Sequence, residues 1–211
     1  MVKFTIEPAY LRTLEKLTMK KILIIISAFL ISFTGFSQRV DNFELQDVVT
    51  GKKFSLSNYQ SATAIVLIFT TNTCPFSKLY EDRIIELANQ FGNDNFQFAL
   101  VNPHAGTIDG ESVAEMINKG QTKMHNLPYL ADPNQELTQS FGITKIPEAV
   151  VITSGPTGFA IAYRGAIDNN PQLPHSATKN YLENALVHAS EKKMTSPAST
   201  RPVGCNVRLI H

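Results

Sequence analysis

The sequence predicts an α/β domain built on a mixed sheet with helices on both faces. Two continuous apolar runs, "SATAIVLIFT" (61–70) and "NFQFALVN" (95–102), have the length of central strands, and the first is rich in β-branched residues. Segments with apolar residues at helical spacing alternate with these runs. The chain then supplies "PEAVVITSGPTGFAIAYRGAID" (147–168), two strand-like segments joined by Ser-Gly-Pro-Thr-Gly at 154–158. That is a hairpin signal, and it adds antiparallel neighbours to the sheet.

The remaining elements follow in order. "VDNFELQDVVTGKKFSLSNYQ" (40–60) alternates apolar and polar residues around Thr50-Gly51 and predicts a hairpin. From Phe76 onward apolar residues recur at 76, 80, 84, 87, 88 and 91, which predicts a helix with Gly92 as its stop. Residues 109–121 read as a helix opened by Asp109, with Asp109-Gly110-Glu111 as cap and first-turn acids. A short strand ending in a turn is expected over 127–133, and a helix over 134–142 capped by Asn134 and closed by Gly142. Residues 178–193 form a closing amphipathic helix capped by Thr178. The Pro/Ser/Thr-rich tail that follows carries Cys205.

At 211 residues, 43% hydrophobic and 18% charged, the chain is long and apolar enough for one domain with a full core. No period of 20 to 50 residues recurs, which argues against a solenoid. "MKKILIIISAFLISFTGFSQ", starting at Met19, has two lysines, an apolar stretch from Ile22 to Phe33 and a small, polar end. This is the pattern of a secretory signal peptide, with cleavage expected between Ser37 and Gln38. Its apolar run of about 12 residues falls short of the roughly 20 that span a bilayer. Residues 1–18 carry no export pattern, which favours Met19 over Met1 as the start. The expected layout is a removed segment 1–37, a domain over 38–196 and a tail over 197–211.

Residues 38–211 hold 14 Lys and Arg against 16 Asp and Glu, a net charge of −2 with no basic run. Nucleic acid and anionic membrane surfaces are therefore not expected partners. Export to the periplasm or medium would place Cys74 and Cys205, the two cysteines, where disulfides persist.

Cys74 falls at a strand-to-helix junction, among the free N–H groups and partial positive charge of a helix N-terminus. That setting favours thiolate over thiol. Pro75 suits the first helical turn, where its missing donor costs nothing. Ser77, one turn on, is placed to donate its hydroxyl to the sulfur. The competing reading of Cys74 is a small buried hydrophobe. His104, His125, His175 and His188 share no metal-ligand spacing, so no metal site and no cofactor are expected. Arg164 and Asp168 are expected to pair around their turn. Arg83 lies about 13 Å along the helix from Cys74, too far to activate it.

The buried strand, the "NTCPF" box at 72–76, Ile146-Pro147 before a hairpin, "YRGAIDNN" and "RPVGC" together resemble the redoxin group. These are the alkyl hydroperoxide reductase and thiol-specific antioxidant relatives, within a peroxiredoxin-like branch with a Gly-Cys tail. The resemblance covers about residues 40–208. It implies a thioredoxin-like three-layer fold with a central mixed sheet, and Cys74 as nucleophile toward a peroxide or a disulfide, with an external thiol as reductant. It also implies a cis Ile146-Pro147 bond beside the cysteine, forming with Pro75 and Phe76 a groove for extended peptide.

The chain departs from its relatives in two places. Ser77 occupies the position of the second thioredoxin cysteine, so no disulfide can form within the box. Set against the peroxiredoxin box, Thr71 matches its threonine but Leu67 replaces its proline. Three roles remain open for Cys205, which lies 131 positions after Cys74. It is a resolving thiol, half of a permanent clamp worth about 5 kcal/mol by loop closure, or an idle tail thiol. Two functional classes follow: a thiol-dependent oxidoreductase, or a peptide-binding module with Cys74 simply buried. Copper delivery would require a second nearby cysteine, which the box lacks.

Overall fold

The computed structural model describes residues 38–125, 127–173 and 176–210. The leader, the start-site reading and His175 lie outside the described residues. Ten strands lie among the described residues: β1 (Arg39–Val40), β2 (Glu44–Asp47), β3 (Lys53–Ser55), β4 (Ala64–Phe69), β5 (Phe96–Asn102), β6 (Tyr129–Ala131), β7 (Lys145–Ile146), β8 (Glu148–Gly155), β9 (Gly158–Gly165) and β10 (Cys205–Asn206). The helices are α1 (Pro75–Gly92), α2 (Val113–Thr122), α3 (Glu136–Ser140) and α4 (Tyr181–Ser190), with a 3-10 turn over Leu56–Tyr59. No helix among the described residues is long and apolar enough to cross a membrane.

Eight strands form one sheet in the order β1-β9-β8-β4-β5-β6-β2-β3, and β10 pairs with β7 in a separate ribbon. β4 runs parallel to β5, and β5 to β6, whereas β8 is antiparallel to β4 and to β9. The sheet is therefore mixed, as the alternating strands and terminal hairpin predicted.

All six residues of β4 are fully buried, because its side chains serve two cores in alternation. Ala64, Val66 and Ile68 face one cluster, closed by Tyr80 and Ile84 of α1, Met116 of α2, and Leu182 and Leu186 of α4. Ile65, Leu67 and Phe69 face the other, closed by Leu56, by Leu137 of α3, by Phe141 and by Val207 of the tail. Burying each of these large side chains contributes about 2 kcal/mol. Cys74 belongs to this second cluster, and Cys205 packs against it.

The structure corrects several boundaries. α2 begins at Val113, not at Asp109, because Ser112 and Glu115 form a reciprocal capping box that satisfies two orphan donors. α3 is shorter than expected and starts after Gln135, whose backbone is left-handed (φ 57°). Its free N–H groups are served by Asp132, which accepts from Thr138 N at 2.8 Å. Thr178 does not cap α4; its hydroxyl accepts from Asn169 Nδ2 at 2.9 Å, and the helix starts at Tyr181. Arg164 does not pair with Asp168. It reaches across the hairpin to Glu148 at 2.7 Å, while Asp168 takes the buried Arg83 and the hydroxyl of Tyr80. The tail, finally, contributes the two-residue strand β10.

Candidate functional site

The site is built on the loop between β4 and α1. Cys74 is the N-cap of α1, 4% exposed, and its N–H donates to Thr71 Oγ1 at 3.3 Å. Pro75 and Phe76 open the helix, where a missing donor is harmless. Ser77 is fully buried, and its Oγ accepts from Thr71 N at 3.4 Å. The hydrogen bond found there ties the hydroxyl to the loop.

Glu111 holds that loop from behind. It is fully buried, and its carboxylate accepts from Asn72 N at 2.9 Å, Thr73 N at 2.7 Å, Thr73 Oγ1 at 2.7 Å and Asn102 Nδ2 at 2.8 Å. A buried carboxylate survives only when its lone pairs are filled, and here four donors fill them. Tyr129 ties the loop again by donating its hydroxyl to Asn72 Oδ1 at 3.0 Å. Burial, and secondarily the charge of Glu111, push the Tyr129 phenol well above its ordinary range and keep it a donor. Lys119 of α2 donates to Thr71 O at 3.3 Å and pairs with Glu81 of α1 at 2.8 Å. The residues before Cys74 are thus fixed from β5, β6 and α2.

Cys205 is bonded to Cys74, with S–S 2.01 Å and Cα–Cα 6.1 Å. The tail reaches this position as a strand: Cys205 pairs with Ile146 and Asn206 with Lys145, antiparallel, and Val207 N donates to Thr144 O at 3.0 Å. The Ile146–Pro147 peptide is cis, and the Ile146 carbonyl lies 3.6 Å from Cys74 Sγ. Ile146, whose backbone beside Pro147 was expected to take an extended peptide, here pairs with Cys205 of the chain's own tail.

Two glycines allow the approach. A Cβ on Gly204 would lie 1.9 Å from the Ile146 carbonyl oxygen. One on Gly165, at φ 146°, would lie 2.3 Å from the Thr200 carbonyl oxygen. Gly165 is the glycine of the "YRGAID" stretch, and residues 198–200 run beside it with Arg164 N donating to Ala198 O and Thr200 N to Arg164 O, both at 3.0 Å.

Beyond the disulfide two buried side chains hold the tail's backbone. Arg208 N donates to His104 Nε2 at 3.0 Å. Gln135 Nε2 donates to Arg208 O at 2.8 Å, and Gln135 Oε1 accepts from Ile210 N at 3.0 Å. His104 must be neutral to accept at Nε2. Burial chiefly pushes its pKa down, Glu111 opposes this, and the charge of Arg208 adds to it.

The structure therefore brings Cys74, Cys205, Ser77, Ile146, Pro147, Pro75 and Phe76 to one place. Sequence reading missed Glu111, Gln135, His104 and β7. Glu111 resembled a helix-start acid, and only the capping-box spacing of Ser112 and Glu115 pointed to a later start. Nothing local marks Gln135 or His104 as partners of a strand some 70 to 100 residues away.

The central mixed sheet, the helices on both faces and the half-cystine at the start of α1 define a thioredoxin-like fold. Residues 36–169 match the AhpC/TSA family, and the chain belongs to that family. A hypothetical protein from Sinorhizobium meliloti 1021 superimposes with TM-score 0.74 at 20% identity, over 83% of this chain and 95% of that one. An uncharacterized conserved protein from Geobacillus kaustophilus gives 0.75 at 22%, over 85% and 94%. A putative thiol:disulfide interchange protein DsbE from Chlorobium tepidum gives 0.56 at 16%, over 73% and 96%. No curated protein matches the chain.

Proposed function

We propose that the chain is an exported thiol-dependent oxidoreductase with Cys74 as nucleophile and Cys205 as resolving thiol. Its mature form would comprise the domain over 38–196 and the tail over 197–211, after signal cleavage between Ser37 and Gln38. One observation carries the reading. The two cysteines are joined by a disulfide, and Cys205 sits in a strand paired with Ile146, where the backbone before Pro147 would take an extended substrate.

Two oxidants lead to the same product. With a peroxide, the Cys74 thiolate attacks one oxygen, the O–O bond breaks, an alcohol or water leaves, and Cys74 becomes a sulfenic acid. The Cys205 thiol then attacks that sulfur and water leaves. With a substrate disulfide, Cys74 forms a mixed disulfide and expels one thiol, and Cys205 displaces the other. In both cases an external thiol reductant returns the pair to two thiols by taking up the disulfide. The helix N-terminus favours the Cys74 thiolate by about half a unit charge of dipole. Ser77 would contribute from one turn away.

The test is alkylation and mass mapping of the periplasmic protein after mild peroxide or disulfide treatment. The expected product is a Cys74–Cys205 disulfide formed faster than in a denatured control. Cys74 that stays reduced and alkylates no faster than that control rejects the reading. In that event Cys74→Ala with unchanged partner capture would favour a peptide-binding module.

A further inference from the structure

The tail does more than bring a thiol within reach. From Cys205 to Ile210 its main chain is held in turn by the backbone of Thr144, Lys145 and Ile146, then by the side chains of His104 and Gln135. Gln135 uses both ends of its amide on two tail residues, as a neighbouring strand would. It is fully buried, and Nε2 also donates to Pro103 O at 3.0 Å, which holds the amide in place. At the other end the strand can pass Ile146 only without a side chain, since the obstacle to a Cβ at 204 is backbone. The φ of Gly204 is not left-handed, so glycine is required there for space alone.

We propose that His104 and Gln135 are positioning residues for the Cys74–Cys205 couple, forming with β7 a strand-binding cleft selective for an extended segment with glycine directly before its cysteine. The chain's own tail is the occupant, and its seating makes Cys205, over any other thiol, the partner of Cys74. The inference rests on the redox reading above. It deepens that reading by naming what selects the resolving cysteine.

A pH dependence follows from the same geometry. The docked tail requires neutral His104, because a protonated ring has no acceptor for Arg208 N–H. The charged groups facing the ring are Glu111, ahead of α2, and Arg208 of the tail. Its docked pKa is lowered, so its contribution to docking is complete above the ordinary histidine value of about 6.5 and is lost as the pH falls below it.

The experiment measures the equilibrium of the full-length protein with glutathione. One S–S bond of the protein breaks as two glutathiones are oxidised to their disulfide. Gly204→Ala and Gln135→Ala are each expected to lower the constant for the protein disulfide about tenfold or more. In wild type the constant should fall by up to tenfold per pH unit below about 6.5, and His104→Gln should remove that fall while leaving an oxygen acceptor for Arg208 N–H. Titration of Cys74 is common to both proteins, so the difference between their profiles belongs to His104. Constants within twofold of wild type for both Gly204→Ala and Gln135→Ala, or identical pH profiles for wild type and His104→Gln, overturn the proposal. The glutathione equilibrium is read whether or not peroxide oxidises Cys74, so its outcome is separate from that of the oxidation test.

Discussion

The two halves of the disulfide are held in opposite ways. On the Cys74 side, Asn72 and Thr73 are fixed by the buried carboxylate of Glu111 and the buried phenol of Tyr129, and the buried Asn102 amide holds both of those groups. On the Cys205 side, a two-residue strand lies on an equally short partner, with Asn206, Arg208, Leu209 and Ile210 exposed. Opening the first would strand a charge and several donors in the core. Opening the second returns most of its groups to water. One half is a fixed wall and the other an exposed strap, the asymmetry that the proposed order of attack by Cys74 and resolution by Cys205 would use.

Breaking the strap covalently should have the largest effect. Cys205→Ser removes closure of a 131-residue loop, and in the chain-entropy model this costs about 5 kcal/mol in unfolding free energy. The loss should appear in denaturant titrations without reductant and vanish when wild type is itself reduced. Breaking the wall comes next. Glu111→Ala leaves two backbone donors, a hydroxyl and an amide without their acceptor, a cost of about 3 kcal/mol. That loss should persist under reduction, and equal sensitivity of both variants to reductant would erase the distinction between wall and strap.

Removing the second buried tie, Arg83→Met, leaves Asp168 without its cation and should cost about 3 kcal/mol in both redox states. It would separate general core damage from damage to the Cys74 loop if alkylation of reduced Cys74 is followed in parallel. Smallest is Thr71→Val, which removes the acceptor of Cys74 N–H for about 1 kcal/mol and should alter Cys74 alkylation more than it alters the unfolding midpoint.

Much of this arrangement was legible in residue order. The run at 61–70, the period-3.6 pattern after Phe76 and the glycine-rich turn at 154–158 placed β4, α1 and the β8–β9 hairpin, because each pattern is enforced locally by which faces are buried. Cys74 at a helix start was visible for the same reason. Local signals failed where a side chain was claimed by a distant partner. Asp109 and Thr178 looked like caps, yet Ser112 had the better geometry and Thr178 was held by Asn169. Arg164 and Asp168 sat four residues apart and suggested a pair, but the hairpin carried Arg164 to Glu148 and α1 brought Arg83 to Asp168.

The sequence by itself determined the α/β alternation, the two-sided burial of β4 and the position of one cysteine among the free N–H groups of a helix. These follow from periodicity and from the chemistry of neighbouring residues. Tertiary structure alone decided that the Pro/Ser/Thr-rich tail pairs with β7 through a two-residue strand, that Cys205 meets Cys74, and that Glu111, His104 and Gln135 belong to the site. Those outcomes depend on main-chain groups whose partners lie tens of residues away, from 38 for Thr73 and Glu111 to 104 for Arg208 and His104, and on the room left by Gly165 and Gly204. A backbone hydrogen bond carries no residue identity, so no residue pattern announces it.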